Sequence, residues 1–265
     1  EVDLPKNYDP AKEYPVIYWF HWWGDDLTYQ PYVDLGQQDG IITVYPEGMS
    51  DFKKQNNPGW TSWNIGDTGV TETCTKDTYS YCYLSCNRLN ACGRCNAFSC
   101  YDDVYFVRKL MNQINSDYCI DKSRVHVSGN SNGGMFVYYL TSQIADLVAS
   151  YGMVAGEPMV GQIKVDKEEI KDAYIISLHG RSDKTLPPRG GIDGSGEWIY
   201  ESLNDTFMVF GLEQGCDMDS WDRVATPYDN NTSAQGNLEC SEYTRGCQGR
   251  VMQCMHDGNH DIIPE

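Results

Sequence analysis

A chain of 265 residues suits one large α/β domain or two small ones, and it can bury a full hydrophobic core without cross-links. Its 38 acidic against 20 basic residues give a formal net charge of -18. A surface that acidic repels phosphate backbones and anionic lipid, which excludes nucleic acid as a partner and leaves neutral polymers and small neutral esters. No stretch approaches the roughly 20 apolar residues that span a bilayer, and 40% hydrophobic with 22% charged residues excludes a disordered chain.

Residues 14–21 (YPVIYWFH) form a near-continuous apolar run, the pattern of a strand buried on both faces of a parallel sheet. Residues 41–45 (IITVY) read the same way and are stopped by Pro46 and Gly48. Residues 53–100 are polar and cysteine-bearing with little periodicity, a long excursion pinned by disulfides. Val104, Val107, Leu110, Met111 and Ile114 then recur at helical spacing, with Asp102 placed to cap the helix. A β-rich run over 124–127 enters a Gly/Asn/Ser turn, and 135–148 reads as helix. Strands are expected at 149–154 and 174–178, a helix at 198–212 and a last strand at 251–255. Strands alternating with helices predict an α/β architecture with a mostly parallel sheet flanked by helices. No repeat or linker divides the chain, so 1–265 reads as one domain with residues 67–100 as a Cys-rich insertion.

Eleven cysteines are many for a cytosolic enzyme. Sequons at Asn204, Asn230 and Asn231 point the same way, to a secreted, extracellular protein. Glu1 opens directly into polar sequence, so no export signal is read there. Cys82, Cys86, Cys92 and Cys95 could instead hold zinc, but the cysteines spread well beyond that cluster, which favours disulfides. An odd total leaves at least one thiol free or paired with another chain.

The most informative segment is RVHVSGNSNGGMFVYYL, which contains Gly129-Asn130-Ser131-Asn132-Gly133, a G-x-S-x-G match. A β run precedes it and a helical run follows it. That is the setting of the nucleophile elbow, where a serine stands on a strained strand-to-helix turn. The following helix aims free N–H groups and a positive dipole end at an oxyanion. A serine hydroxyl is a poor nucleophile without a base, and here the partners follow in the order Ser, Asp or Glu, His. Only His179, His256 and His260 remain after Ser131. Residues 174–183 (YIISLHGRSD) run from a strand into a loop ending at Asp183, the preferred acid over Asp172 and Asp193. His179, last in its strand, reads as packed or locally hydrogen-bonded. Residues 251–264 offer His256 and His260, and the Gly258-Asn259 turn favours His260 as the base. The backbone N–H groups of Trp22 and Asn132 are the expected oxyanion hole, each such donor lowering the barrier by roughly 3 kcal/mol. His21 reads as a structural residue bonded to loop backbone.

These segments resemble the feruloyl esterases of carbohydrate esterase family one and their relatives, the polyhydroxybutyrate depolymerases. The resemblance rests on YPVIYWFHWWG, WTSWNIG, YDDVYFVRKL, DKSRVHVSGNSNGGM, SLHGRSD and MHDGNH, which fall in the same order over most of the chain. It implies an α/β-hydrolase fold, Ser131, Asp183 and His260 as the catalytic triad, no cofactor and no metal. It also implies a disulfide near the C-terminus, with Cys216–Cys247 the first expectation and Cys119 joined to the earlier cluster the second. The family's usual His-Gly stands here as His21-Trp22, and its Trp-Pro after the last histidine as Asp261-Ile262-Ile263-Pro264.

The expected reaction is ester hydrolysis through an acyl-enzyme, with Trp22, Trp23, Trp60 and Trp63 bordering the pocket and the last three binding substrate. The leading substrate is a feruloylated cell-wall arabinoxylan, with acetylated xylan and hydroxyalkanoate polyesters as rivals. The competing reading from another class is an inactive carbohydrate-binding homologue. The chain is also compatible with one catalytic module of a longer, multi-domain enzyme.

Overall fold

In the computed structural model the described residues are 1–25, 27–51, 59–66, 71–75, 82–93, 95–96, 98–162, 170, 172–225 and 238–260. The sequons at Asn230 and Asn231 and the segment 261–264 lie outside them. Nine strands form one sheet: β1 (Val2–Asp3), β2 (Tyr14–Phe20), β3 (Ile42–Val44), β4 (Ile120–Asn130), β5 (Ser150–Val154), β6 (Tyr174–Gly180), β7 (Trp221–Val224), β8 (Glu239–Tyr243) and β9 (Arg250–His256). Their spatial order is β1-β3-β2-β4-β5-β6-β9-β8-β7. The pairings from β3 through β2, β4, β5 and β6 to β9 are all parallel, and both ends of the sheet are antiparallel.

The parallel strands are the ones with apolar runs, because helices cover both of their faces. Val16, Tyr18, Phe20, Val125, Val127, Tyr151 and Ile175 lie inside the main core. The antiparallel edge is a different matter. The sequences WDRV and ECSEY are short and polar, give no apolar alternation, and are missing from the sequence reading.

Five helices are described: α1 (Val33–Asp39), α2 (Leu84–Arg88), α3 (Asp103–Asp117), α4 (Asn132–Leu140) and α5 (Leu203–Glu213). Asp102 caps α3 by accepting from the Tyr105 N–H at 2.9 Å, as its position predicted. α4 is shorter than the apolar run that follows Ser131, because the chain breaks into turns after Leu140. α5 begins later than expected, since Ile199–Tyr200 pairs instead with Gly191–Ile192 in a small two-stranded sheet. Ser202 caps α5, its Oγ accepting from the Asp205 N–H at 3.0 Å.

Ten cysteines form five disulfides: Cys74–Cys95, Cys82–Cys92, Cys86–Cys100, Cys216–Cys247 and Cys240–Cys254. All four cysteines of the zinc alternative are consumed, so that reading is overturned. Cys216–Cys247 is the expected pair. The expected link from Cys119 to the cluster is corrected: Cys119 stays reduced and donates to the Pro10 carbonyl at 2.8 Å, at the foot of β4. Among the described residues of the Cys-rich segment, Thr75 N–H bonds to the Glu197 carbonyl at 2.9 Å. The Ser85 hydroxyl bonds to the buried carboxylate of Asp51. Among the described residues no helix is long and apolar enough to cross a membrane, and no group of three or more His, Cys, Asp or Glu could hold a metal ion.

Candidate active site

Ser131 stands between the end of β4 and the first turn of α4 with φ 53° and ψ -118°, a region a side-chain-bearing residue occupies only when its surroundings force it there. What forces it is a pair of clamps: Ser131 N–H donates to the Val154 carbonyl at 2.9 Å, and its own carbonyl accepts from Met135 N–H at 2.8 Å. The flanking glycines are a steric demand. A Cβ on Gly133 would lie 2.0 Å from the Phe20 carbonyl oxygen, and one on Gly129 would lie 2.5 Å from that of Gly133. The G-x-S-x-G pattern therefore exists because strand, turn and helix pass too close for side chains.

Beyond β9, His260 is carried on a short loop. Its Nε2 lies 2.9 Å from Ser131 Oγ, and its Nδ1 lies 2.7 Å from Asp183 Oδ2. The Asp183 loop, which follows β6, is stitched to this one. Arg181 N–H donates to the His256 carbonyl at 2.7 Å, and Ser182 N–H donates to that of Gly258 at 3.0 Å. Gly180 lets the Asn259 carbonyl in, since a Cβ there would come within 2.0 Å of it. His256, the alternative base, is buried and accepts from Gly258 N–H at Nδ1, 3.1 Å away. It shapes the turn that presents His260.

Asp183 is 4% exposed. Its Oδ1 accepts from the N–H groups of Thr185 and Leu186 at 2.8 and 2.9 Å. Burial pushes its carboxyl up, but hydrogen bonds from His179 and His260 outweigh that and hold it well below the usual carboxylate range. Neither rival acid is placed this way. Asp193 accepts from Glu197 and Trp198 N–H in its own turn, and Asp172 precedes the opposite end of β6.

Two further residues stand near this acid: His179, read from the sequence as packed or locally hydrogen-bonded, and Glu157, which the sequence did not single out. His179, fully buried in β6, brings Nε2 to 3.1 Å from Asp183 Oδ2 as well as 2.8 Å from the Leu186 carbonyl. Glu157, also fully buried, follows β5; burial first, then the charge of Asp183, push its carboxyl up to about 10, so it is a neutral acid at pH 7. The available signal was an acidic residue set among Ala155, Gly156, Pro158 and Met159 directly after an apolar strand.

The two expected oxyanion donors follow β2 and open α4, and the backbones of these two elements pass close together at Gly133. Asn132 opens α4, and its side chain locks the neighbouring segment, Oδ1 accepting from Trp63 N–H at 2.8 Å and Nδ2 donating to the Trp63 carbonyl at 3.2 Å. Trp22 follows β2 and is half-buried. His21 braces it: Nε2 accepts from Gly48 N–H at 2.9 Å, so the proton sits on Nδ1 and is donated to the Trp22 carbonyl at 2.7 Å. Burial lowers the His21 pKa, which keeps the ring neutral.

Of the three tryptophans expected to touch substrate, Trp23 and Trp60 pack directly against each other, ring centroids 4.1 Å apart and planes tilted by 42°, Trp60 being 44% exposed. Trp23 Nε1–H donates to the Tyr83 hydroxyl at 3.0 Å, which ties the pair to the Cys-rich segment. Trp63 is corrected. It is 0% exposed, stacks on Phe136 at 5.3 Å and meets Phe20 edge-on at 5.1 Å, so it is core and cannot reach a substrate.

No family model matches the chain. Feruloyl esterase C of Emericella nidulans is 24% identical over 272 residues, 99% of this chain and 76% of that protein. The bifunctional acetylxylan esterase/xylanase XynS20E of Neocallimastix patriciarum is 26% identical over 189 residues, 70% of this chain, and the match spans only 21% of that larger protein. Among solved structures, an acetyl xylan esterase from Aspergillus awamori superposes with a TM-score of 0.61 at 15% identity, covering 100% of this chain and 89% of that one. The chain has the α/β-hydrolase fold and is similar in sequence to feruloyl esterases over nearly its whole length.

Proposed function

We propose that the chain is a secreted serine esterase that releases ferulate from plant cell-wall arabinoxylan. The observation that carries this reading is the unbroken line of hydrogen bonds Ser131 Oγ–His260–Asp183 at the carboxyl ends of three parallel strands. In this reading His260 Nε2 takes the Ser131 proton as the hydroxyl attacks the ester carbonyl. Asp183 holds the Nδ1–H tautomer and stabilises the imidazolium. The backbone N–H groups of Trp22 and Asn132 receive the oxyanion. His260 then protonates the leaving sugar hydroxyl, water attacks the acyl-enzyme, and Ser131 is restored.

The packed pair Trp23 and Trp60, with Trp60 partly exposed, offers an aromatic surface suited to a planar phenolic acyl group or a sugar face. Five disulfides support an oxidising, extracellular setting. The residues 1–265 act in this reading as one catalytic domain, a module of the kind that also occurs within longer enzymes. A second reading, acetylxylan esterase, is favoured by the Neocallimastix and Aspergillus awamori proteins named above. Ferulate release from methyl ferulate and de-starched bran, set against acetate release from acetylated xylan and turnover of hydroxybutyrate oligomers, decides among them. Cleavage of p-nitrophenyl acetate with no ferulate release rejects the phenolic pocket.

A further inference from the structure

Asp183 is held from more sides than a serine hydrolase acid needs. Its Oδ1 takes two backbone N–H groups, and its Oδ2 meets two imidazoles, His260 Nδ1 at 2.7 Å and His179 Nε2 at 3.1 Å. His179 Nε2 also lies 2.8 Å from the Leu186 carbonyl. Both neighbours are acceptors, so Nε2 must carry a proton and share it between them. The other ring nitrogen, Nδ1, is buried with no hydrogen-bond partner among the described residues, which is the arrangement of a neutral ring fixed as the Nε2–H tautomer.

We propose that His179 is a positioning residue for the reaction: by donating to Asp183 Oδ2 it fixes the carboxylate in the rotamer that holds His260 toward Ser131. The Leu186 carbonyl aims the donor, and the Leu186 N–H binds the other carboxylate oxygen, so the backbone of one residue and one imidazole together fix both carboxylate oxygens. The titratable groups around Asp183 are His179 on β6, His260 beyond β9, Glu157 beyond β5 and Tyr200. Glu157 and Tyr200 stay neutral at pH 7, so Asp183 is the one negative charge in this set and His260 the one base facing the nucleophile.

This inference rests on the triad proposed above, and its test separates the two. Glutamine can place its Nε2 where the imidazole Nε2 lies; asparagine is too short and alanine has no donor. His179→Ala and His179→Asn should lower kcat on methyl ferulate by about ten- to a hundredfold with KM unchanged, the size of a small misplacement of a catalytic group. They should also shift the acid limb of kcat/KM upward, because an Asp183 with one donor fewer binds the charge on His260 more strongly. His179→Gln should restore both. A merely structural histidine would lower the melting temperature in these variants and leave kcat per folded molecule and the acid limb where they were, and that result overturns the inference. Should the alanine and asparagine variants not fold, nitrogen chemical shifts of the labelled wild-type histidines replace them, with the Nε2–H tautomer expected for His179 and Nδ1–H overturning the proposal. Activity surviving in Ser131→Ala defeats the triad and this inference together. Activity lost there beside an unmoved acid limb in His179→Ala defeats this inference alone.

Discussion

At the scale of single residues, the site separates two carboxyl groups by environment. Asp183 is surrounded by donors and stays ionised, whereas Glu157 is dry and stays protonated. The second has a thermodynamic signature. A group whose pKa rises on folding holds its proton in the native state and gives it up in the unfolded chain, so its contribution is complete below the unfolded value of 4.5 and is lost as pH climbs toward about 10. Glu157→Gln keeps a neutral, isosteric side chain and removes that linkage. Urea unfolding at pH 5, 7 and 9 should show wild type losing stability relative to the variant by up to ~1.4 kcal/mol per pH unit. Parallel pH profiles would show that Glu157 is ionised in the fold. Ser131→Ala should cut turnover by roughly four to six orders of magnitude in a protein that unfolds like wild type. Titration of released ferulate together with a melting curve checks both halves. Ser131, Asp183 and His260 were legible in the sequence because a small-residue elbow and strand-to-loop exits are local patterns. Glu157 was not, because what matters about it is its burial beside a carboxylate carried by a different strand's loop; His179 was legible only as a packed or locally bonded residue, because its contact with Asp183, four residues on, depends on how the loop after β6 folds back.

At the scale of elements, the elbow is a packing problem solved by glycine. Gly133→Ala should be among the most damaging single substitutions, because its Cβ would sit within 2.0 Å of backbone that cannot move without shifting β2. Loss of several kcal/mol or failure to fold is expected, and a soluble variant within about 1 kcal/mol of wild type by urea denaturation would contradict the geometry. The Cys86–Cys100 bridge closes a separation of 14 residues, so replacing both cysteines by serine should cost about 3 kcal/mol, read as a lower unfolding midpoint. The parallel strands were readable from apolar runs because burial on both faces leaves little room for polar residues. The antiparallel edge escaped notice because half-exposed strands such as Trp221–Val224 carry charge and lack a hydrophobic signature. Trp63 was misassigned for a related reason: tryptophan serves cores and binding surfaces alike, and only its contacts with Phe20 and Phe136 decide between them.

At the scale of the whole molecule, a net charge of -18 sets which polymers approach easily. Phenolic esters on anionic oligosaccharides should show higher KM than neutral ones at low ionic strength. The gap should narrow as salt shortens the screening length from about 30 Å at 0.01 M to about 10 Å at 0.1 M. A gap that ignores salt would place the discrimination in the pocket and not in the long-range field. The molecule's construction also bears on how it accommodates bulk. The loops bearing Asp183 and His260 are laced together by backbone hydrogen bonds, while Ser131 follows β4, two positions from β6 with β5 between them. Acid and base therefore travel as a single body. In a series of inhibitor complexes of growing size, the imidazole–carboxylate spacing should hold constant and the imidazole–hydroxyl gap should take up the slack, like a hinge whose pin is the side chain of the nucleophile.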